Sequence, residues 1–374
     1  MKLAHLRKVW RYTGLYGPAR TYCKIAGRTR KLPVPIIGRH DPRDIALIGC
    51  GQFGVSTIGY FLTRKYGRRI KLVHDVDEFA AQSALRMLGA REAVSSPARI
   101  LEDQDIRYVY IASNHASHTD YAVAALEAGK TVYVEKPVAV TRRQLARLLA
   151  AERKRPGRLF AGYNRPHSAA VRKLRELSGD NLQGALSLNC FVSGHVIGPD
   201  HWYRDPQEGT RICGNAGHWI DLFVHVLSWR GIPDNFRIQL LQGDPREPDD
   251  NFALSIATDR GDIFTLMLTA RSEPFEGINE TINFQQDDVI CKIDDFRRMA
   301  VWKGASLFRK RFWPKDPGHR AAVFQPFRKN DERDWKEVAV STVLMLRIVD
   351  MVRGLEPLAE LDLSLELKEL AGAM

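Results

Sequence analysis

The apolar run Ile45–Ile48 stops on Gly49-Cys50-Gly51-Gln52-Phe53-Gly54, and that junction restricts the fold more than any other feature of the chain. A G-x-G-x-x-G behind a strand and ahead of a helical pattern demands a tight strand-to-helix turn. The first glycine allows the turn, the second lets a ligand approach the backbone, and the third lets helix and strand pack closely. The downstream pattern agrees with that opening. A helix over 52–66 stops at Gly67, a strand occupies 70–73, and helix Glu78–Leu88 ends before Gly89. Strands at 93–95 and 108–112, a helix over 118–128 and strand Thr131–Val134 come next. Thr141 and Gln144 form a capping box for a further helix, and a strand at 160–163 closes the series. Short β-rich runs alternating with helices indicate βαβ units in a parallel sheet. Residues 44–164 are therefore expected to form a doubly wound α/β domain.

Beyond about residue 165 the rhythm changes to alternating strands joined by tight turns, which points to a largely antiparallel open sheet over 165–374. Phe252–Thr258 and 262–270 flank Asp259-Arg260-Gly261 as a hairpin, and 280–285 with 289–293 repeat the device around Asp287-Asp288. Strands are also expected at 185–193 and 236–242, and helices at 213–228 and 337–353, the latter stopped by Gly354. Residues 309–330 read as a basic, proline-containing loop with Phe312, Trp313, Phe324 and Phe327. Interleaved basic and aromatic residues bind single-stranded nucleic acid in some proteins, but one irregular loop is better read as ordinary surface. At 374 residues the chain has room for two domains, each with its own core.

The formal charge of +12 sits at one end: residues 1–43 carry eleven Lys and Arg against the single acid Asp41, leaving +2 for the rest. A polyanion-binding face spreads its basic residues over the folded surface, so no specific nucleic acid partner is expected. This arm alone is a candidate for peripheral contact with anionic surfaces, and a solvated or domain-packed arm is the preferred reading. The segment from Leu3 to Tyr16 is broken by His5, Arg7, Lys8 and Arg11, so it does not read as a secretory signal, and no apolar run is long enough to span a bilayer. Cys23, Cys50, Cys190, Cys213 and Cys291 are scattered without a C-x-x-C pair, which fits neither a disulfide framework nor a thiolate metal site. A cytoplasmic protein is expected.

Chemistry concentrates at the ends of the first-half strands, where open α/β sheets bind ligands. The glycine turn with the helix behind it offers backbone N–H groups to a diphosphate. Asp75 ends the second strand 21 residues after Gly54, where an acid accepts hydrogen bonds from an adenosine ribose. Gly49, Gly51, Gln52, Phe53, Gly54 and Asp75 therefore read as a dinucleotide site, for NAD in preference to NADP because a carboxylate repels a 2′-phosphate. Ser113, Asn114 and His118 come after the next strand, and Glu135-Lys136-Pro137 ends strand Thr131–Val134. These belong to the same edge, and Lys136 there is suited to polarising a substrate oxygen or relaying a proton.

Several segments together resemble the oxidoreductases grouped around glucose-fructose oxidoreductase, inositol 2-dehydrogenase and MocA. They are G-C-G-Q-F-G, Asp75, residues 111–118 leading into A-A-L-E-A-G-K, E-K-P at 135–137, G-Y-N-R at 162–165 and G-H-W-I-D-L at 217–222. The stretch 199–221 looks most like members associated with polysaccharide and nucleotide-sugar metabolism. The resemblance implies a Rossmann domain, a second domain with an open sheet, and hydride transfer between a nicotinamide and a sugar or cyclitol. It also implies a histidine as general acid or base near the E-K-P lysine, and His218 matches it. Asp221, Asn215 and Tyr163 would support that histidine, and Asn164, Arg165, His201, Trp202 and Arg204 would bind the sugar or a phosphate. His218, Asp221 and His225 share a helix face, but no metal is expected there.

The chain departs from the pattern in two places. Many members carry aspartate four residues before the histidine, where this chain has Gly214, and proline after the Ser or Thr of strand four, where it has Asn114. A catalytically silent dinucleotide-binding regulator and another nicotinamide reaction, such as imine reduction or redox-assisted glycoside cleavage, remain alternatives. An open sheet face also suggests a homo-oligomer.

Overall fold

A computed structural model describes residues 3–372 apart from 31, 33–35, 37, 39–41, 245, 247–248, 273–276 and 329–332. The chain divides into two compact units, Met1–Ala139 with Arg147–Gly162 and His319–Arg333, and Val140–Ala146 with Tyr163–Gly318 and Asp334–Met374.

The first unit holds a parallel sheet of β1 (Ile45–Ile48), β2 (Ile70–His74), β3 (Glu92–Ala93), β4 (Tyr108–Ile111), β5 (Thr131–Val134) and β6 (Leu159–Ala161). Their order is β3-β2-β1-β4-β5-β6, so the chain reverses its winding between β1 and β4. Every residue of β1 is buried, as strands covered on both faces must be. Helix Glu78–Leu88 is closed at both ends as its sequence implies. Asp77 accepts a hydrogen bond from the Phe79 amide, and Gly89 takes the left-handed cap.

The expected helix over 52–66 is not uniform. It forms a π-helical segment at Gly54–Gly59 and only then the α-helix Tyr60–Tyr66. The basic arm is helical, with Leu3–Tyr16 followed by Pro18–Thr29, and its second helix packs along the π segment. Arg20 donates to Thr57 Oγ1 at 3.0 Å, and its guanidinium lies 5.0 Å and 4.7 Å from the Tyr60 and Phe61 ring centres. The region expected as a loop over 309–330 also differs. Its start lies in an edge strand and its end returns to the first unit, where Tyr110 donates to Val323 O at 2.7 Å and Gln325 to Ala161 O at 3.0 Å.

The second unit is built on nine strands. These are β7 (Ser187–Ser193), β8 (Asn235–Gln242), β9 (Phe252–Thr258), β10 (Ile263–Thr269), β11 (Asn279–Gln286), β12 (Val289–Asp294), β13 (Arg298–Lys303), β14 (Ser306–Arg311) and β15 (Leu358–Asp362), in the order β14-β13-β12-β11-β7-β10-β9-β8-β15. All neighbours are antiparallel except β7 and β10. Along β7 and β10 buried and outward residues alternate, as expected where one face is covered. Helix Gly217–Ser228 covers the inner face, with Phe223 stacked on Phe264 at 4.8 Å, and helix Trp335–Gly354 packs against it. The expected helix over 213–228 opens with a second π segment, Ile212–Ala216.

Candidate functional site

The three glycines after β1 have three different surroundings. Gly49 has φ +89°, and a Cβ on it would lie 2.3 Å from the Ala112 backbone, so the turn leans directly on the end of β4. A Cβ on Gly54 would lie 2.2 Å from Gly49 O. A Cβ on Gly51 would meet nothing within 4 Å. The outer glycines thus close the turn, while the middle one leaves its backbone bare with Gln52 and Phe53 exposed beside it. Asp75 accepts from the Cys50 amide at 2.6 Å and from the Asp77 amide at 2.9 Å. A carboxylate has about four lone-pair directions, so capacity remains for ribose hydroxyls. The Cys50 thiol is pushed up to about 12 by burial and by Asp75, which makes it a packing group and not a nucleophile.

After β4, Ser117 Oγ bonds Ser113 Oγ at 2.8 Å and Asn114 Oδ1 at 2.6 Å, drawing that turn tight. His118 is buried, with Nδ1 2.8 Å from Pro137 O and Nε2 3.1 Å from Ser113 O. Burial lowers its pKa to about 4, against the pull of those carbonyls, so it is a neutral brace between two turns. Glu135 is likewise internal. Tyr133 donates to its Oε1 at 2.7 Å, and a Cβ on Gly162 would sit 2.9 Å from its carboxyl group. Burial raises its pKa to about 7 despite the Tyr133 bond and Lys136. It supports the end of β5, while Lys136, the next residue, is half-buried.

In the second unit, His218 stands in the first turn of helix Gly217–Ser228 and is half-buried. The Tyr163 ring meets it edge-on at 6.5 Å. Asn215, three residues earlier on the same side, is buried, and its Oδ1 has no hydrogen-bond partner. One residue that sequence reasoning missed belongs here. A Cβ on Gly214 would lie 2.3 Å from the Tyr203 ring, and Tyr203 Oη is 3.5 Å from Gly214 O. The aromatic ring therefore occupies the space a side chain at 214 would need, one turn before His218. The one signal for this was a glycine inside a helical pattern, which costs stability unless something packs against it.

Other candidates are committed elsewhere. Asp221 is fully buried and accepts from Ser341, and His225 Nδ1 is 3.0 Å from Glu337. Arg165 makes a two-pronged pair with Glu280 at 2.8 Å and 2.9 Å and lies 4.2 Å from the Trp219 ring centre, while Asn164 donates to Pro317 O. Both are almost wholly buried, and these contacts hold them in the core. Arg204 is paired with Asp249 and Asp250, and the latter also holds buried Arg211. His201 and Trp202 remain exposed, stacked at 5.8 Å.

Residues 43–163 match the model of an oxidoreductase family with an NAD-binding Rossmann fold, GFO_IDH_MocA. Residues 43–163 are thus similar to the NAD-binding domain of the Gfo/Idh/MocA oxidoreductases. Among its relatives, inositol 2-dehydrogenase of Ralstonia nicotianae is 32% identical over 191 residues, 50% of this chain and 53% of that protein. Inositol 2-dehydrogenase 2 of Saccharopolyspora erythraea is 33% identical over 183 residues, 48% of this chain and 52% of that protein. The chain thus spans about half the length of the curated relatives it matches. The fold extends further. GenD2 from gentamicin A biosynthesis, in complex with NAD, superposes with TM-score 0.70 at 19% identity, covering 87% of this chain and 99% of that one. Levoglucosan dehydrogenase in complex with NADH superposes with TM-score 0.70 at 16% identity, covering 85% and 98%.

Proposed function

We propose that this protein is an NAD-dependent oxidoreductase acting on a hydroxyl-bearing carbon of a sugar, nucleotide sugar or cyclitol. The observation that carries the reading is the bare backbone at Gly51, between two glycines that packing forbids to grow, with Asp75 bound to the adjoining amide. That turn fits a dinucleotide: Gly51, Gln52 and Phe53 offer backbone N–H groups to its diphosphate, and Asp75 accepts from its ribose. The nicotinamide, when bound, supplies hydride exchange. The chain's own residues orient the substrate and manage its proton. Lys136 carries the positive charge that stabilises oxygen as a hydroxyl becomes a carbonyl, and His218 takes or returns the hydroxyl proton. Asn215 Oδ1, buried and unpartnered, suits a substrate hydroxyl, and oxygen-rich relatives' substrates such as inositol support that class.

Substrate panels of cyclitols, sugars and nucleotide sugars, followed by nicotinamide absorbance, test the reading. Lys136→Met and His218→Ala are expected to abolish turnover while dinucleotide affinity, measured by calorimetry, persists. Full activity in both variants would reject these roles. A second reading, a silent dinucleotide-binding regulator, is favoured by the Tyr203 ring filling the place beside Gly214. Tight NAD binding with no turnover on any substrate would establish it. We further propose self-association through the outward face of the nine-stranded sheet, where Phe191, Met267 and Ile290 are exposed.

A further inference from the structure

The arm's second helix is aimed. Gly27 brings it so close to the π segment that a Cβ there would lie 3.0 Å from Ser56 Cβ, and the Arg20 bond to Thr57 fixes its direction. The helix therefore ends beside the glycine turn. Its cap is Arg30, at φ 57° and ψ 11°, whose amide closes onto Ala26 O. Glycine fills such left-handed caps without strain, whereas a residue with a Cβ is strained there. That strain makes sense if the side chain is used. Arg30 Nη2 donates to Cys50 O at 2.7 Å, and its Nη1 is buried with no hydrogen-bond partner. On the other side of the same residue, the Cys50 amide is held by Asp75. Residue 50 is thus gripped by a cation and an anion, and the next residue is the bare Gly51.

We propose that Arg30 is a dinucleotide-binding residue, and that the basic arm is part of the cofactor site. This rests on the dinucleotide reading above. Nη2 holds the turn through Cys50 O, and the unsatisfied Nη1 serves a phosphate oxygen of the dinucleotide, the acceptor a guanidinium fits best. A buried guanidinium nitrogen without an acceptor is costly to keep, and a phosphate oxygen removes that cost on binding.

The test is titration of the full-length protein with NADH, NADPH and adenosine, for wild type, Arg30→Ala and Arg30→Lys. Arg30→Ala is expected to weaken NADH binding about tenfold or more, the loss of one charge-assisted bond. Its salt dependence should become shallower, and adenosine, which has no phosphate, should bind as in wild type. Arg30→Lys, which keeps the charge, recovers part of the affinity and guards against misfolding, with thermal melting of each variant as the check. Equal losses for NADH and NADPH assign the contact to the diphosphate, and a loss confined to NADPH assigns it to the 2′-phosphate. Unchanged affinity of Arg30→Ala for both cofactors, or an equal loss for adenosine, overturns the proposal. A wild-type protein that binds no dinucleotide brings down the dinucleotide reading itself, and this proposal with it.

Discussion

Gly49 and Gly51 are the same residue two positions apart, yet alanine is expected to act oppositely at them. At Gly49 the new methyl group meets the Ala112 backbone and the positive φ opposes it, so Gly49→Ala is expected to cost on the order of 2–4 kcal/mol in denaturant unfolding. At Gly51 the space is open, so stability should stay within about 0.5 kcal/mol while calorimetry records weaker NAD binding. Glu135 gives a pH-dependent counterpart. Its carboxyl group is raised from an ordinary 4.5 to about 7 by burial, so the folded state binds this proton more tightly than the unfolded chain. The resulting stability is complete below about pH 4.5 and is lost as pH rises through about 7. Glu135→Gln, which keeps an acceptor for Tyr133, is therefore expected to gain on wild type as pH rises, by on the order of 3 kcal/mol at pH 8. Melting curves at pH 5 and pH 8 check this, and a pH-independent difference would reject it. The glycine motif was legible because backbone conformation is a local property. The burial of Glu135 was not, because it depends on Tyr133 and Gly162 closing around it.

At the scale of elements, period and punctuation located most strands and helices, and they failed where neighbours decide. Both helices expected at the candidate sites open as π segments, Gly54–Gly59 and Ile212–Ala216. In the first, Ser56 Oγ donates to Gln52 O at 2.6 Å, and such side-chain competition loosens a regular ladder. No residue spacing announces that. Strand β14 escaped for a different reason: Ser306–Arg311 has no buried residue and hence no alternation, and only its register against β13 makes it a strand. Its basic residues suit an edge, where charge discourages further pairing. The arm is the other element decided by packing. Removing residues 1–30 uncovers Thr57, Tyr60 and Phe61, and is expected to lower the melting temperature by several degrees in calorimetric scans. An unchanged melting temperature would show that the arm contributes nothing to the first unit.

For the molecule as a whole, the nine-stranded sheet leaves one face outward, and Phe191 and Met267, register partners on β7 and β10, are both exposed there. If that face joins copies of the chain, Phe191→Asp with Met267→Asp should reduce the sedimenting mass to that of one chain without loss of secondary structure. Both side chains are already half in water, so the folded unit itself should tolerate the change. A wild-type protein that sediments as a single chain would reject the assembly. Charge also reads differently at this scale. Most of the formal +12 lies in the first 43 residues, yet Arg20 and Arg30 are turned onto the first unit, not outward. Among the described residues no helix is long and apolar enough to cross a membrane.

The amino-acid order alone determined the two-sheet class, the β1 turn and its neighbouring acid, and the places of most strands. All of these come from backbone conformation and from hydrophobic period over a few residues. Tertiary structure decided which polar side chains are left for chemistry. It consumed Arg165 and Asn164 in the core, pressed Tyr203 onto Gly214, and brought Arg30 to Cys50. Those pairings join residues 11 to 153 positions apart, and no local pattern records them. A buried donor or acceptor must find a partner wherever the packed chain happens to supply one.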